Sequence, residues 1–363
     1  MEPKKRVVVA MSGGVDSSTT AAMLVQQGYE VIGITLRLWT PSPWALGEKF
    51  GGCCSVKDVA DAKNVCQTLN VPHYTFDMEK KFMETVVDNF VSEYVDGKTP
   101  NPCVRCNRFL KFDVLLKYAL ALNADYLATG HYARITRVET DSQNRSALRK
   151  AVDANKDQSY FLYMLNQAQL SKLLFPLGEY TKPQVRILAD ECNLKIAQKQ
   201  DSQDVCFLEG RNYREFLKER VPSEKIVKGP IQTRDGKVLG EHEGLAFYTI
   251  GQREKLGIAT GQRLYVLEKN LSTNTLVVGN EGENVSGSCV VHSVNWCADQ
   301  FPENADEVQV KVRYRHSGRM ARVESLGGDR VRVTFYEPES SVTCGQSAVF
   351  YRGDEVLGGG VIE

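Results

Sequence analysis

The feature that most constrains this chain is a short apolar run, Arg6-Val7-Val8-Val9-Ala10-Met11, that ends at Ser12-Gly13-Gly14 and gives way to a helix-favouring stretch over 15–27. An apolar run of that length bounded by glycine predicts a buried strand, and the periodicity after it predicts a helix. The unit then recurs. Tyr29 to Leu38 reads as strand, Ser55 to Leu69 as helix, Val71 to Phe76 as strand, Phe82 to Tyr94 and Phe109 to Leu122 as helices, and Tyr126 to Thr129 as strand. Strands alternating with helices predict a parallel, doubly wound α/β sheet.

Near residue 210 the helical periods give way to short Val-rich runs separated by Gly, Asn and Asp. Examples are Leu264 to Leu267, Leu276 to Val278, Val308 to Tyr314, Arg319 to Val323, Val331 to Tyr336 and Ser347 to Tyr351. Runs spaced roughly ten residues apart suit small barrels, which remove sheet edges by closure. At 363 residues the chain is too long for one ordinary core. We expect an α/β domain over 1–208, a small central β-containing domain over 209–282 and a C-terminal β-barrel over 283–363.

Composition removes several classes. The sequence has no apolar run of about 18 residues, and Met1 to Val7 lacks the apolar stretch of a signal peptide, so a cytoplasmic protein without membrane contact is expected. Ten cysteines in a chain this long do not make a disulfide scaffold, and reduced thiols are expected instead. Lys plus Arg equals Asp plus Glu at 45 each, so net charge neither demands nor excludes nucleic acid.

The loop Ser12-Gly13-Gly14-Val15-Asp16-Ser17-Ser18 carries the first chemical signal. A Gly pair between strand and helix lets backbone approach an anion, and the helix start favours negative charge. Ser12, Ser17 and Ser18 add hydroxyls. The segment has no Gly-Lys-Ser/Thr ending, so it offers no lysine of its own to β/γ-phosphates, and cleavage between the α- and β-phosphates fits better. The plain alternative is a Gly-Ser turn capping a helix. In context the segment resembles the PP-loop of N-type ATP pyrophosphatases, whose members adenylate a carbonyl or amide oxygen.

The cysteines carry the second signal. Cys103 and Cys106 lie in Thr99-Pro100-Asn101-Pro102-Cys103-Val104-Arg105-Cys106-Asn107, a Pro-punctuated loop ahead of a helix with Arg108 and Lys111. A cation and a helix start favour thiolate. Cys206 stands far along the chain in Gln200-Asp201-Ser202-Gln203-Asp204-Val205-Cys206-Phe207. Two thiols from distant sequence suit a relay in which one carries a persulfide and the other resolves the product. The alternative is metal: Cys103, Cys106 and Cys206 as ligands of a [4Fe-4S] cluster, or zinc with a missing fourth ligand. Cys66, Cys192, Cys289, Cys297 and Cys344 read as structural, as do Cys53 and Cys54 with less support.

Taken in order, these motifs resemble the bacterial-type tRNA-specific 2-thiouridylase family nearly end to end. The resemblance rests on SGGVDSS, TPNPCVRCN, Ala128 to Arg134, Asn155 to Leu162, DSQDVCF, Tyr248 to Arg253, Val312 to Arg315 and Gly345 to Tyr351. It implies that ATP, with Mg2+, adenylates the C2 oxygen of the wobble uridine in a tRNA anticodon, and that a persulfide sulfur then displaces AMP. The tRNA acceptors would be those for Lys, Glu and Gln, with sulfur delivered by a persulfide carrier protein. Cys106 matches the nucleophile and Cys206 the persulfide-bearing residue, the two forming a transient disulfide. ATP would meet Ala10, Met11, Ser12, Gly13, Gly14, Val15, Asp16 and Ser17, together with Leu36 and Gly130.

By the same resemblance the target base would meet Asn101, Pro102 and Cys103. Further tRNA contacts would fall on His131, on Lys156, Asp157 and Gln158, on Arg313 and Tyr314, and on Gln346. An anticodon base must leave its stack to enter such a pocket. Some relatives carry Asp where this chain has Cys103, which leaves the general base open.

Read without the resemblance, several of these residues are plainer. His131 reads as a hydrogen-bonded rim histidine, and Lys156-Asp157-Gln158 as a turn before an apolar helix over Ser159 to Leu165, with Asp157 as its N-cap. Lys311, Arg313, Arg315, Arg319 and Arg322 would form a solvated or phosphate-gripping β-surface. The main alternative enzyme is a PP-loop ligase acting on a small molecule, and the alternative from another class is a noncatalytic RNA-binding protein.

Overall fold

The computed structural model describes residues 4–40, 56–139, 144–200, 205–258, 261–298, 300 and 305–363. The first part alternates strand and helix: β1 (Arg6–Ala10), α1 (Val15–Gln26), β2 (Glu30–Arg37), α2 (Val56–Thr68) and β3 (His73–Asp77). A long helical stretch follows as α3 (Glu79–Phe82), a π-helical segment (Met83–Val87) and α4 (Asp88–Val95). A second runs as α5 (Pro102–Cys106), a π-helical segment (Asn107–Leu115) and α6 (Leu116–Ala121). Then come β4 (Tyr126–Ala128), the hairpin β5 (Ala133–Glu139) and β6 (Asn144–Lys150), α7 (Gln167–Leu170), β7 (Leu173–Leu174), α8 (Lys182–Glu191) and α9 (Tyr213–Arg220).

Strands β1, β2, β3, β4 and β7 form one sheet in the order β3-β2-β1-β4-β7, every pairing parallel. Val7, Val8 and Val9 are fully buried, which a strand covered on both faces requires. Val7 and Val9 pack with Ala21, Ala62 and Ala189 of α1, α2 and α8, whereas Val8 faces Phe82, Leu110 and Leu115 on the long helices of the other layer. Side chains alternating across a strand explain this division. The expected doubly wound sheet is present. Its strand order reverses at β1, so the crevice between the C-terminal ends of β1 and β4 is where ligands bind in such sheets.

The remaining strands are β8 (Gly229–Thr233), β9 (Val238–His242), β10 (Tyr265–Asn270), β11 (Thr275–Gly279), β12 (Val285–Trp296), β13 (Val308–Lys311), β14 (Arg319–Gly327), β15 (Arg330–Ser340), β16 (Ser347–Arg352) and β17 (Glu355–Ile362). A four-stranded sheet runs β10-β11-β8-β9. The C-terminal strands run β12-β15-β14-β13-β16-β17, and β12 pairs again with β17, closing a six-stranded barrel. No helix among the described residues is long and apolar enough to cross a membrane.

Three local readings need correction. Ser159 to Leu165 is not a helix: only Ser159–Phe161 makes a 3-10 turn, and Tyr160 and Leu162 are buried. Burial on all sides erases the periodicity by which helix and irregular chain are told apart. Cys103 and Cys106 lie within a helix rather than in a loop before one, because Pro102 occupies its first turn and Asn101 Oδ1 accepts Val104 N–H as the cap. The Lys311 to Arg322 stretch is not one β-surface, since β13 stops at Lys311 and β14 starts at Arg319, leaving Arg313 and Tyr314 on the connecting turn.

One contact ties the parts together. The hairpin β5–β6, which follows β4 in sequence, pairs with β17 through Glu355 and Arg149. Arg149 and Arg134 both reach Asp354 (2.6 and 2.8 Å), and Arg145 reaches Glu355 at 2.6 Å.

Candidate functional site

The loop after β1 is shaped by its two glycines. Gly13 has φ +69°, and a Cβ there would lie 2.1 Å from the Asp58 carbonyl oxygen on α2, so only glycine fits. Gly14 caps α1 without a side chain, leaving the first-turn N–H groups without a side-chain acceptor. Ser17 Oγ accepts Ser12 N–H at 3.1 Å and lies 3.1 Å from Ser12 Oγ, folding the loop over the helix start. Gly130, at the end of β4, comes so close that a Cβ would sit 2.8 Å from the Asp16 carbonyl carbon and Ser17 nitrogen. Ala10, Met11 and Leu36 are largely buried at the strand ends, and Val15 is buried at the start of α1. The ATP-binding positions named from sequence therefore converge on one crevice.

The structure adds two lysines that the loop itself lacks. Lys182, the first residue of α8 and 7% exposed, donates to both carboxylate oxygens of Asp16 at 2.8 and 2.9 Å, and Tyr132 OH donates to the same carboxylate at 2.8 Å. Lys199 donates to the Gly13 carbonyl at 2.9 Å, to Asp58 at 2.8 Å and to Asp61 at 2.6 Å. Burial disfavours the Lys199 charge, but the two carboxylates outweigh it and its pKa lies above the ordinary value. Nothing local in Thr181-Lys182-Pro183 points to this role. The signal is purely tertiary, since Lys182 and Asp16 are 166 positions apart.

The cysteines stand on elements that share one neighbour. Cys103 is exposed and Cys106 half-buried, both on α5. Arg105 between them donates to the Thr85 carbonyl at 2.8 Å and lies 4.9 Å from the Phe109 ring, and burial lowers its pKa. Cys206 opens a 3-10 turn whose Phe207 packs edge-on against Phe90 (5.1 Å) and Phe82 (5.8 Å). Thr85, Phe82 and Phe90 all belong to the helical stretch Glu79 to Val95, so α5 and the Cys206 turn flank the same helix. Cys106 and Cys206 are both half-buried against the same apolar core.

Among the described residues no three His, Cys, Asp or Glu side chains are placed to hold a metal ion. Cys103, Cys106 and Cys206 are thus not assembled as cluster ligands here. Residues 201–204 of the Cys206 motif, and Cys53 and Cys54, lie outside the described residues.

The barrel closes over α5. Gln346 donates to the Thr99 and Pro100 carbonyls at 2.9 and 3.5 Å, and the Cys344 carbonyl accepts Thr99 N–H at 2.8 Å. The Tyr314 ring lies 4.5 Å from that of Phe161, tilted by 43°, and is an electrostatic neighbour of Cys103, while burial raises its pKa. Asn101, Pro102, Cys103, Tyr314 and Gln346 are therefore brought to one place.

Other expected tRNA contacts sit deeper. His131 is buried 5.8 Å from the rings of Phe112 and Phe175, with Nδ1 2.6 Å from Thr129 Oγ1. Burial, with Lys111 nearby, pushes its pKa well below the ordinary value, so the ring is neutral. Asp157 is buried, accepting Ala151 N–H and Ser159 N–H at 3.0 and 3.2 Å, and Gln158 accepts Tyr132 N–H at 3.0 Å. Lys156 precedes them on a turn and is half-buried. Arg313 Nη2 lies 3.5 Å from Glu339, which is buried with His316 and Arg319 around it.

Sequence reading also missed Asn107, which is buried and donates through Nδ2 to the Phe161 carbonyl at 3.2 Å. Its Oδ1 and the Thr99 Oγ1 are buried without a hydrogen-bond partner. A buried acceptor left in that state costs about 1–3 kcal/mol.

Three family models match in succession: a tRNA methyl transferase HUP domain over 5–210, a tRNA methyl transferase PRC-barrel domain over 214–280 and an aminomethyltransferase beta-barrel domain over 286–362. The chain is 48% identical over 361 residues to the tRNA-specific 2-thiouridylase MnmA of Carboxydothermus hydrogenoformans, covering 99% of this chain and 98% of the relative. It is 48% identical to that of Geotalea uraniireducens, with 99% and 95% covered, and 44% identical to that of Desulforamulus reducens, with 100% and 98% covered.

Proposed function

Because the chain belongs to the tRNA-specific 2-thiouridylase family, we propose that it converts the wobble uridine of a tRNA anticodon to 2-thiouridine at the expense of ATP. The observation that carries this reading is identity at 44–48% across essentially the whole chain, which takes in the phosphate loop, both cysteine segments and the barrel together.

The chemistry follows from the leaving group. A uracil C2 oxygen leaves poorly until it becomes a phosphate ester. Its attack on the α-phosphate of ATP forms the O2–P bond and releases pyrophosphate. The first-turn N–H groups of α1 and the hydroxyls of Ser12 and Ser17 are the donors available to the phosphates, and the Lys182 ammonium adds a cation beside them, while Lys199 is held by Asp58, Asp61 and the Gly13 carbonyl and braces the loop. Asp16, the carboxylate in the loop, would hold a phosphate-bound Mg2+, which would offset charge on the phosphates.

Sulfur transfer falls to the thiols. Cys206 receives a persulfide from a carrier protein. Its terminal sulfur attacks C2 and AMP departs, while the Cys106 thiolate attacks the inner Cys206 sulfur and leaves a Cys106–Cys206 disulfide for a reductant to reopen. Asn101, Pro102 and Cys103 meet the extruded base, and Tyr314 and Gln346 meet the tRNA where the barrel closes over α5. The tRNA acceptors for Lys, Glu and Gln are the substrates, and the cytoplasm is the compartment.

The test is the fate of the nucleotide. Protein incubated with ATP, a persulfide donor, a thiol reductant and unmodified tRNA should yield AMP and pyrophosphate in step with thiolated nucleoside, and tRNA with cytidine at the wobble position should abolish both. Release of ADP and phosphate, or thiolation independent of the wobble base, contradicts the reading.

A further inference from the structure

Asn107 follows Cys106 directly, and its N–H is donated to the carbonyl of Cys103, one helical turn earlier. Residues four apart lie on one helix face, so Asn107 shares the face of Cys103. The side chain is 3% exposed and only half engaged: Nδ2 donates to the Phe161 carbonyl at 3.2 Å, and Oδ1 is buried with no partner. Rotating the amide by half a turn would set its oxygen against the Phe161 carbonyl oxygen, two acceptors face to face, so the orientation is fixed. Phe161 lies 4.5 Å from Tyr314, and Tyr314 is the electrostatic neighbour of Cys103. Asn107, Phe161, Tyr314 and Cys103 are thus linked as successive neighbours at the start of the helix, and Asn107 carries one unused buried acceptor.

An acceptor held this way calls for a donor. The Watson–Crick edge of uracil offers one N–H, at N3, between two carbonyl oxygens, whereas cytosine presents a bare N3 lone pair in the same place. We propose that Asn107 Oδ1 accepts the N3–H of the target uracil and thereby selects uridine over cytidine. The inference rests on the reading of α5 as the target-base site. Opposite a cytosine the amide oxygen would face a second acceptor, and a site built to satisfy a buried polar group rejects the analogue that leaves it unpaired. Because Oδ1 is covered by protein, the base must displace a neighbouring side chain to reach it. Tyr314, carried on a turn between two barrel strands, is the neighbour contributed by another domain.

The experiment is a binding cycle, without ATP, using anticodon stem-loops that carry uridine or cytidine at the wobble position; the latter presents an N3 lone pair in place of N3–H. Wild-type protein should prefer the uridine stem-loop by about 3- to 10-fold, the worth of one hydrogen bond. Asn107→Ala should bind both equally, with unchanged affinity for ATP. Equal wild-type affinities for the two stem-loops overturn the proposal, even when the variant fails to fold. A preference that survives in Asn107→Ala overturns it too. Absence of any thiolation of uridine by wild-type protein would instead remove the functional reading on which it rests.

Discussion

Lys182 Nζ lies 2.8 and 2.9 Å from the two carboxylate oxygens of Asp16, joining the first turn of α8 to the first turn of α1. Through this pair a lysine reaches the phosphate loop from the far side of the domain, in place of one within the loop. Lys182→Met leaves the Asp16 carboxylate with Tyr132 OH as its only side-chain partner among the described residues and removes a cation from the crevice. The pair is only partly shielded, with the Asp16 side chain 32% exposed, so the cost should be about 1–2 kcal/mol rather than that of a fully buried pair. KM for ATP should rise roughly tenfold, the equivalent of about 1.4 kcal/mol. Steady-state pyrophosphate release at varied ATP checks this, and an unchanged KM contradicts it.

Gln346 reaches from the barrel to the Thr99 and Pro100 carbonyls, immediately ahead of Asn101, Pro102 and Cys103, the proposed target-base segment. Gln346→Ala removes these bonds and should leave KM for ATP unchanged while lowering kcat/KM for tRNA about two- to tenfold, the worth of one hydrogen bond. A matching fall in ATP affinity would show that the contact supports the whole α/β domain instead.

Lys269 donates to the Tyr248 carbonyl at 2.9 Å, and burial lowers its pKa to about 8 from an ordinary 10.5. Between those values the unfolded chain binds the proton that the folded chain has released, so this group makes stability rise with pH across that window. Below pH 8 both states are charged and the penalty is full. Lys269→Met removes the penalty, so the melting temperature of the variant relative to wild type should fall as pH goes from 7 to 10. A difference independent of pH would contradict the burial of that charge.

The first strand, the glycine turn and α1 were legible because local signals agree: Val7 to Val9 form a strand buried on both faces, and Gly13 and Gly14 punctuate it. The barrel strands with dense valine, such as β13 and β15, were legible for the same reason. Strand β12, with Ser286, Gly287 and Ser288, and β17, with Gly358, Gly359 and Gly360, carry too little apolar pattern to declare themselves. The joining of β5–β6 to the barrel depends on Arg149 meeting Asp354 across 205 positions, and no local rule reports such a pair. Among site residues, Cys103, Cys106 and Cys206 stood out by type and setting. Lys182, Lys199 and Asn107 did not, because each acquires its significance from a partner brought in by folding.

The central claim concerns the product, and nucleoside mass spectrometry of tRNA reads it directly. In a strain lacking this protein and any paralogue, wobble 2-thiouridine should be absent. Wild type should restore it, whereas Cys106→Ser and Cys206→Ser should not. Persistence of 2-thiouridine in the deletion strain, or its full restoration by Cys106→Ser, would contradict the account.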